Sequence, residues 1–463
     1  MGKIGRIYGE IIGDKFTFAS KDYFSGDFVK IKENEELEDS LELICEVLSR
    51  GVSNPFLTTP EVIKYLDDSI NFQRDTIYTY TVASIGAVRH GKISSERVHT
   101  LPGKNVYTVD AELLKAVYGI GDAGPQIGYL KKMPGCEVTL DINKIFNPHL
   151  FIVGKTGSGK SYFTTRFLAQ MEETFWVFSP TDEYSDLNSK SECTNLSDFI
   201  LDLNSDDISY YANLNMSEEM ILKSISFQED KVYSYKELVE EIQNYYRKKN
   251  SGQPKQISFD FADGVSLDVE LPAYANSLIT KLKSIRHLRF SKNRETLQVF
   301  KGSLVFELGE YTQSEQECIL NYYLYDLLQR CKRTKPENRK KYIIVIEEAH
   351  NYVPSVRNTL SKSILVRLSR EGRKYGISLC FITQRPRFFD QTALSQSGNK
   401  IIFALPNPED VRHIMEDIPF YKTELATEIQ SQKTGECIIA GDSFCDVLEI
   451  VVRFGLEKGS LMQ

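Results

Sequence analysis

Hydrophobic and polar positions alternate in short segments over the first third of the chain. Residues 1–145 carry β-branched and aromatic side chains in partial alternation, and Gly and Asp turns separate the segments. The clearest segments are Gly5–Ile12, Phe28–Lys32, Ile77–Val88 and Asn105–Val109. Thr59–Ile70 differs, because a cap residue followed by Pro predicts a short helix. Short strands separated by turns predict a small β-barrel as the N-terminal domain.

From residue 150 onward the pattern changes to continuous, mostly apolar runs that alternate with helical segments. Such runs are typical of strands buried on both faces, as in a parallel sheet. They cover residues 150–153, 175–178, 303–308, 342–346, 377–383, 400–405, 437–440 and 447–453. Strands that alternate with helices predict an α/β sheet with RecA-type connections.

A Gly-rich loop follows the first of these runs directly. Residues 154–161 read Gly-Lys-Thr-Gly-Ser-Gly-Lys-Ser, and residues 162–171 have helical character. This order of strand, loop and helix is the context of a phosphate-binding P-loop, whose glycines turn successive N–H groups toward an anion. Lys160 can then reach the β- and γ-phosphates, and the Ser161 hydroxyl can ligate Mg²⁺. The predicted ATP-binding residues are Gly154, Lys155, Thr156, Gly157, Ser158, Gly159, Lys160, Ser161 and Tyr162.

Residues 190–299 lack strand alternation and show helical periodicity instead, for example in Tyr235–Arg247 and Tyr274–Leu288. The predicted fold is therefore α/β, a RecA-like P-loop ATPase core with a helical insertion, preceded by a small N-terminal β-barrel domain. The predicted boundaries are 1–145 for the barrel, 146–189 and 300–453 for the core, 190–299 for the insertion and 454–463 for a short C-terminal tail.

Polar side chains end several of the apolar runs. Run 342–346 ends at Glu347 and Glu348: the first carboxylate can hold Mg²⁺ through water, and the second can orient and polarise the attacking water. Run 377–383 ends at Gln384, which can sense the γ-phosphate or simply cap the strand. Run 175–178 leads into Ser179–Tyr184, which is either a loop facing the ligand crevice or a plain surface turn.

Charge restricts where nucleic acid could bind. The net charge is −8, so a nucleic-acid contact would be confined to a local patch or a pore lining. The candidates for such a patch or pore lining are two basic stretches, residues 281–294 and 330–341. Either a solvated helix face or a DNA-facing patch explains the first stretch, which contains Lys281, Lys283, Arg286, His287, Arg289, Lys292 and Arg294.

Composition excludes other classes of protein. Charged residues make up 26% and hydrophobic residues 41%, as in ordinary soluble proteins. The eight cysteines include no C-x-x-C pair, so neither a disulfide framework nor a zinc site is indicated. The start lacks a signal peptide, and no run of about 18 apolar residues occurs, so we expect a cytoplasmic protein without a membrane span.

Together these motifs resemble the HerA family of hexameric DNA translocases, in the group that includes FtsK. The P-loop, Ile-Glu-Glu-Ala-His-Asn-Tyr-Val-Pro at 346–354, and Arg-Glu-Gly-Arg-Lys-Tyr-Gly at 370–376 are similar to family motifs, as are Thr-Gln-Arg-Pro at 383–386 and Leu-Ser-Gln at 394–396. The N-terminal β segment resembles the family's barrel. The chain departs from the family at Asp182-Glu183-Tyr184, where Gly-Glu-Tyr is usual, and at Ser179, where Asp is usual.

The resemblance implies a homohexameric ring with ATP and Mg²⁺ bound between subunits and DNA in the central pore. One subunit would supply Lys160, Ser161, Glu347, Glu348 and Gln384. Its neighbour would supply an arginine finger, either Arg370 or Arg373, although each could instead pair with Glu371. A NurA-like nuclease, or a sirtuin-like or other defence effector, would dock on the barrel side, and no membrane is involved.

Two functions remain open from the sequence. The first is an ATP-hydrolysing motor that translocates on or unwinds DNA with a nuclease or effector, in DNA end processing or anti-phage defence. The alternative is an ATP-gated hexameric scaffold that organises and switches an effector with little translocation. A DEAH-box helicase is suggested only by Glu347-Glu-Ala-His350, and one RecA-like core is too few for that class.

Overall fold

The structure, a computed structural model, describes most of the chain. The described residues are 2–36, 40–53, 76–89, 92–94, 100–121, 123–184, 187, 193–196, 202–225, 231–249, 259–260, 266–267, 271–291, 302–418, 424–444 and 446–454. The helix predicted at Thr59–Ile70 lies outside them. The chain divides into two compact units: unit 1 is Met1–Met171 with Gly398–Gln463, and unit 2 is Glu172–Ser397. The predicted domain boundaries stay a proposal based on the sequence.

Strands and helices are numbered here in chain order over the described residues. The strands are β1 (Lys3–Ile12), β2 (Lys15–Ser20), β3 (Phe28–Lys32), β4 (Glu42–Ser53), β5 (Ile77–Arg89), β6 (Lys92–Ser94), β7 (Asn105–Thr108), β8 (Gln126–Leu130), β9 (Met133–Thr139), β10 (Leu150–Val153), β11 (Thr174–Ser179), β12 (Cys193–Leu196), β13 (Asp202–Leu203), β14 (Val232–Tyr233), β15 (Phe259–Asp260), β16 (Ser266–Leu267), β17 (Arg289–Ser291), β18 (Ser303–Glu307), β19 (Tyr342–Ile346), β20 (Ile377–Thr383), β21 (Asn399–Phe403), β22 (Glu436–Gly441) and β23 (Leu448–Val452). The α-helices are α1 (Ala111–Tyr118), α2 (Ile142–Ile145), α3 (Lys160–Leu168), α4 (Ser205–Tyr211), α5 (Met216–Ser224), α6 (Tyr235–Lys249), α7 (Ala273–Leu282), α8 (Gln313–Arg333), α9 (Leu360–Glu371), α10 (Gln391–Ser395), α11 (Pro408–Met415) and α12 (Leu425–Ser431).

Unit 1 begins with an antiparallel barrel. Its strands follow the order β2-β1-β7-β3-β4-β5, and β2 also pairs with β5, so that the ring of strands closes while β6 extends β5. Inward-facing apolar side chains fill the interior, among them Phe18, Val29, Cys45, Tyr80 and Val82. A closed sheet has no unpaired edge among these six strands, so their backbone hydrogen bonds are satisfied within the barrel.

The rest of unit 1 contains a mixed sheet in the order β10-β21-β22-β23-β8-β9. β10 and β21 are parallel, and the other pairs are antiparallel. All four residues of β10 are buried, as expected for an apolar run covered on both faces. This buried strand fixes the start of the Gly-rich loop.

Unit 2 contains a parallel sheet in the order β12-β18-β11-β19-β20. α8 and α9 pack on each other beside it, and α8 begins at a capping box in which Thr312 and Glu315 bond each other's backbone N–H groups. Because carboxyl ends of parallel strands meet at one edge, Ser179, Glu307, Glu347 and Gln384 all lie along the same edge.

The predicted insertion is helical, with α4 to α7, but it also carries short strands that the sequence did not indicate. β13, β17 and β14 form a small sheet, and β15 pairs with β16. Each of these strands has only two or three residues, which is too short for an alternating pattern to show.

Part of the basic stretch 281–294 serves the packing of unit 2. Lys281 Nζ lies 2.7 Å from a carboxylate oxygen of Glu218, which is fully buried. His287 contacts the buried Glu315 through its backbone N–H at 2.7 Å and its ring at 2.9 Å. In the second stretch, Arg339 donates to the carbonyl oxygens of Cys331, Thr334 and Lys374. These side chains hold the fold together, and Lys292 and Arg294 lie outside the described residues.

The predicted fold class is confirmed: a β-barrel precedes an α/β P-loop core that carries a helical insertion. Among the residues that the structure describes, no helix is long and apolar enough to cross a membrane. Six of the described cysteines are free and buried: Cys45, Cys136, Cys318, Cys331, Cys380 and Cys437.

Candidate functional site

The Gly-rich loop connects β10 to α3 in unit 1. Gly157 and Gly159 have φ values of +73° and +110°, which L-residues with a side chain rarely adopt. Lys160 is 8% exposed, and its Nζ donates to the carbonyl oxygens of Gly154 at 2.8 Å and Lys155 at 3.1 Å. The lysine thus lies across the loop, as a P-loop lysine must in order to reach a phosphate held there. Ser161 and Tyr162 follow it in the first turn of α3.

Two distant segments of unit 1 support this loop. The Lys155 N–H donates to Ala404 O at 2.9 Å, directly after β21. The Gly435 N–H donates to Ser158 O at 3.1 Å, and the Thr434 hydroxyl donates to Gly157 O at 3.4 Å. The shape of the phosphate-binding loop therefore depends on the turn before β22, which the sequence did not mark as part of the site.

Glu347 lies at the end of β19 in unit 2 and is 4% exposed. Its Oε2 accepts a hydrogen bond of 2.5 Å from the hydroxyl of Tyr184, which is fully buried. Burial first, and then the charge of Glu347, raise the pKa of Tyr184 well above its usual value. The phenol consequently stays protonated and acts as the donor that fixes the orientation of this carboxylate.

Glu348, the next residue, has different partners. Its Oε1 accepts a hydrogen bond of 2.8 Å from the Gln384 amide, and its Oε2 lies 3.2 Å from His350 Nδ1. The Glu348 backbone has φ +49° and ψ +44°, in the left-handed region that a non-glycine residue rarely occupies. The structure thus brings Glu347, Glu348 and Gln384 together at one end of the parallel sheet, and it adds Tyr184 and His350.

The loop 179–184 follows β11 and ends in the buried Tyr184. Ser179 Oγ accepts from the Thr181 N–H at 3.2 Å and donates to Thr181 O at 2.7 Å, so that this serine forms the turn. Burial and the nearby Asp182 raise the pKa of Glu307, which lies at the end of the adjacent β18. The end of this loop is not a plain surface turn, because the buried Tyr184 contacts Glu347; that the loop faces a ligand stays a prediction.

Arg370 and Arg373 lie near the end of α9 and in the turn after it, where both are exposed. The Nε of Arg367 forms an ion pair with the Glu371 carboxylate, and neither Arg370 nor Arg373 pairs with that carboxylate. Within the residues described here, neither makes an ion pair. β20 starts after them and runs for seven residues, about 23 Å at about 3.3 Å per residue, before it reaches Gln384. The two arginines therefore lie at the opposite end of β20 from the acidic pair.

A phosphate-binding loop between a buried strand and a helix, together with adjacent acids at the end of a parallel strand, defines the class of P-loop ATPases. A family model described as the central domain of helicase HerA matches residues 125–327. A probable helicase of Methanocaldococcus jannaschii is 29% identical over 95% of this chain and 88% of its own length. The DNA double-strand break repair helicase HerA of Saccharolobus solfataricus is 29% identical over 76% of this chain and 72% of its own length.

The fold has a counterpart among solved structures. VirB4 of Thermoanaerobacter pseudethanolicus superposes with a TM-score of 0.51 at 15% identity, covering 72% of this chain and 97% of that one. Over most of its length the chain is similar in sequence to helicases of the HerA family, and its fold is that of a P-loop ATPase.

Proposed function

We propose that this chain is an ATP-driven DNA motor whose subunits form a ring. The observation that carries the proposal is the set of polar side chains at the ends of β19 and β20: Glu347 held by Tyr184, and Glu348 held by Gln384. Two adjacent carboxylates with different hydrogen-bond partners are suited to different roles: one binds a metal ion, and the other activates water. Relatives named as DNA repair helicases support DNA as the substrate that is moved.

The residues present fit ATP and Mg²⁺. The positive φ angles of Gly157 and Gly159 shape the loop, and a Cβ at Gly154 would lie 2.5 Å from Phe403 Cβ, so the loop requires glycine there. Mg²⁺ prefers oxygen ligands: the Ser161 hydroxyl would supply one, and the Glu347 carboxylate would hold the ion through water. Bound Mg²⁺ would neutralise charge on the β- and γ-phosphates. Lys160 would bind the same phosphates from its place in the loop.

In the chemical step we assign the base to Glu348. Its carboxylate accepts a proton from a water molecule while the water oxygen forms a bond to the γ-phosphorus. The bond from that phosphorus to the β–γ bridging oxygen breaks, and its electron pair leaves with ADP. Gln384, which donates to Glu348 Oε1, would respond to the γ-phosphate. Glu348→Gln should keep ATP binding and lower kcat by at least about 100-fold, whereas Lys160→Ala should weaken binding and turnover together.

The arginine finger would come from a neighbouring subunit. Arg370 and Arg373 lie about the length of β20 from Gln384 of their own chain, so they are suited to act in trans, where a cation stabilises transition-state charge. A homohexamer with DNA in its pore, and a NurA-like nuclease or a sirtuin-like or other defence effector on the barrel side, complete the proposal. DNA end processing and anti-phage defence are the roles that it suggests.

The test is the ATPase rate of the full chain against added double-stranded DNA, with the oligomer measured by light scattering in the same sample. Stimulation by DNA in a hexamer-sized species, with salt-dependent DNA binding, supports the motor. An intact ring whose ATPase is indifferent to DNA and responds to an effector supports the ATP-gated scaffold instead.

A further inference from the structure

Two side chains lie against the Glu348 carboxylate, one at each oxygen. Gln384 Nε2 donates to Oε1 at 2.8 Å from the end of β20, and His350 Nδ1 lies 3.2 Å from Oε2. His350 Nδ1 lies nearer to Thr383 Oγ1, at 2.9 Å, so its approach to Glu348 Oε2 is a close electrostatic contact and not a hydrogen bond. One hydrogen bond to Oε1 and one close polar contact at Oε2 restrict the rotation of the carboxylate.

His350 is itself fixed by β20. Its Nδ1 lies 2.9 Å from Thr383 Oγ1, and Thr383 is fully buried at the last position of the strand. Thr383 Oγ1 also accepts the Arg385 N–H at 3.1 Å, which holds the hydroxyl in place. Thr383 and Gln384 are consecutive, so the end of one strand determines both contacts to Glu348.

The backbone around Glu348 needs this support. Its left-handed conformation is unfavourable for a residue with a Cβ and persists only where surrounding contacts impose it. The Asn351 N–H donates to Glu348 O at 2.9 Å, and the buried Tyr352 donates through its hydroxyl to Gln316 Oε1 at 2.8 Å. His350 lies inside this short turn, between the strained residue and its anchor.

We propose that His350 is a positioning residue for the water-activating carboxylate, and that Thr383 holds His350 in turn. The inference rests on the proposed role of Glu348. A base displaced by a fraction of an ångström loses its alignment with the attacking water, so the contact acts on turnover rather than on ATP binding. It also gives the His of the Glu-Glu-Ala-His sequence a function that needs no relation to DEAH-box helicases.

The experiment compares matched variants of the full-length ring. His350→Ala removes the contact, whereas His350→Asn keeps an N–H donor near the position of Nδ1; Thr383→Val removes the hydroxyl, whereas Thr383→Ser keeps it. kcat and KM for ATP are measured with the Kd of a fluorescent non-hydrolysable ATP analogue. We expect His350→Ala to lower kcat about 10–100-fold with KM and Kd within about twofold, and His350→Asn and Thr383→Ser to retain more activity than their partners.

Glu348→Gln separates the two proposals. If Glu348→Gln is inactive and His350→Ala turns over ATP at the parental rate, the positioning role is wrong while the role of Glu348 stands. If Glu348→Gln keeps its activity, the proposed chemistry fails and the inference fails with it. Equal losses in His350→Ala and His350→Asn, accompanied by a lowered Tm, would show a merely structural histidine and overturn the proposal.

Discussion

Glu347 and Glu348 are adjacent in the sequence, yet different parts of unit 2 hold their carboxylates. Glu347 continues β19, and its N–H still donates to Phe178 O at 3.0 Å. The left-handed φ of Glu348 then turns the chain, which sends its side chain toward Gln384 and His350 rather than toward Tyr184. A single strained residue thereby separates two similar groups and lets them take different roles.

Tyr184→Phe tests the role of the phenol at this scale. The ring can still fill its buried place, and only the hydrogen bond of 2.5 Å to Glu347 is lost. We expect the Mg²⁺ concentration for half-maximal analogue binding and ATPase to rise about 10-fold, because a ligand loses its orienting partner. An unchanged Mg²⁺ requirement would contradict the assignment of Glu347 to the metal.

The P-loop requires glycine at two positions for two different physical reasons, lack of space and backbone conformation. Two Gly→Ala variants distinguish these reasons. A Cβ at Gly154 would lie 2.5 Å from Phe403 Cβ and 2.8 Å from Ser158 Oγ, whereas a Cβ at Gly157 would meet nothing within 4 Å. Gly154→Ala should therefore displace the loop and weaken ATP-analogue binding more than about 10-fold. Gly157→Ala should cost only the strain of its positive φ, about 1–2 kcal/mol. The Kd of the ATP analogue and the Tm are measured for both variants. Equal changes in the two variants would contradict the distinction between a steric and a conformational cause.

Lys281 in α7 tests whether the basic stretch packs the insertion or contacts DNA. Burial would raise the pKa of Glu218, but hydrogen bonds from Lys281 and Ser277 outweigh it and hold that pKa below its usual value. The folded carboxyl thus has a lower pKa than the unfolded one. The pair therefore contributes stability above the unfolded pKa, and that contribution is lost as pH falls through the folded pKa.

Lys281→Met should lower the stability by about 1–3 kcal/mol at pH 7 and by less near pH 4, measured by thermal unfolding. Lys281→Met with Glu218→Gln is the control, because it removes the unpaired charge and should recover part of the loss. A variant with parental stability and a smaller salt slope of DNA binding would instead place Lys281 on DNA.

Element positions were largely predictable because apolar runs and Gly punctuation record them directly. The run 150–153 coincides with β10, and 377–383 coincides with β20. The small sheet of β13, β14 and β17 was missed because strands of two or three residues leave no period. Contacts were not predictable: Tyr184 and Glu347 are 163 residues apart, and only the pairing of β11 with β19 brings them together. A tyrosine that follows a strand does not reveal, in the sequence alone, which residue its hydroxyl will contact.

At the scale of the assembly, the placement of Arg370 and Arg373 leads to a mixing experiment. In the proposed ring, a subunit with Arg370→Ala and Arg373→Ala keeps its own P-loop but fails to serve its neighbour. A Lys160→Ala subunit has the opposite defect. Each variant alone should be inactive, and mixed rings should recover part of the parental ATPase rate, because some interfaces combine an intact P-loop with an intact arginine. No recovery in rings shown to be mixed would mean that the arginines act within their own chain.

The support of the P-loop by the turn at Thr434 and Gly435 has a consequence for synthesis of the protein. Thr434 and Gly157 are 277 residues apart, so the ribosome makes the loop long before its support. At about 5–20 residues per second, that interval lasts roughly 14–55 s. A nascent or truncated chain in this interval lacks the hydrogen bonds to Ser158 and Gly157 and should bind nucleotide weakly. We therefore expect ATP to bind well only once residues 434 and 435 have been made, so that shorter fragments would neither consume it nor enter a ring as nucleotide-loaded subunits.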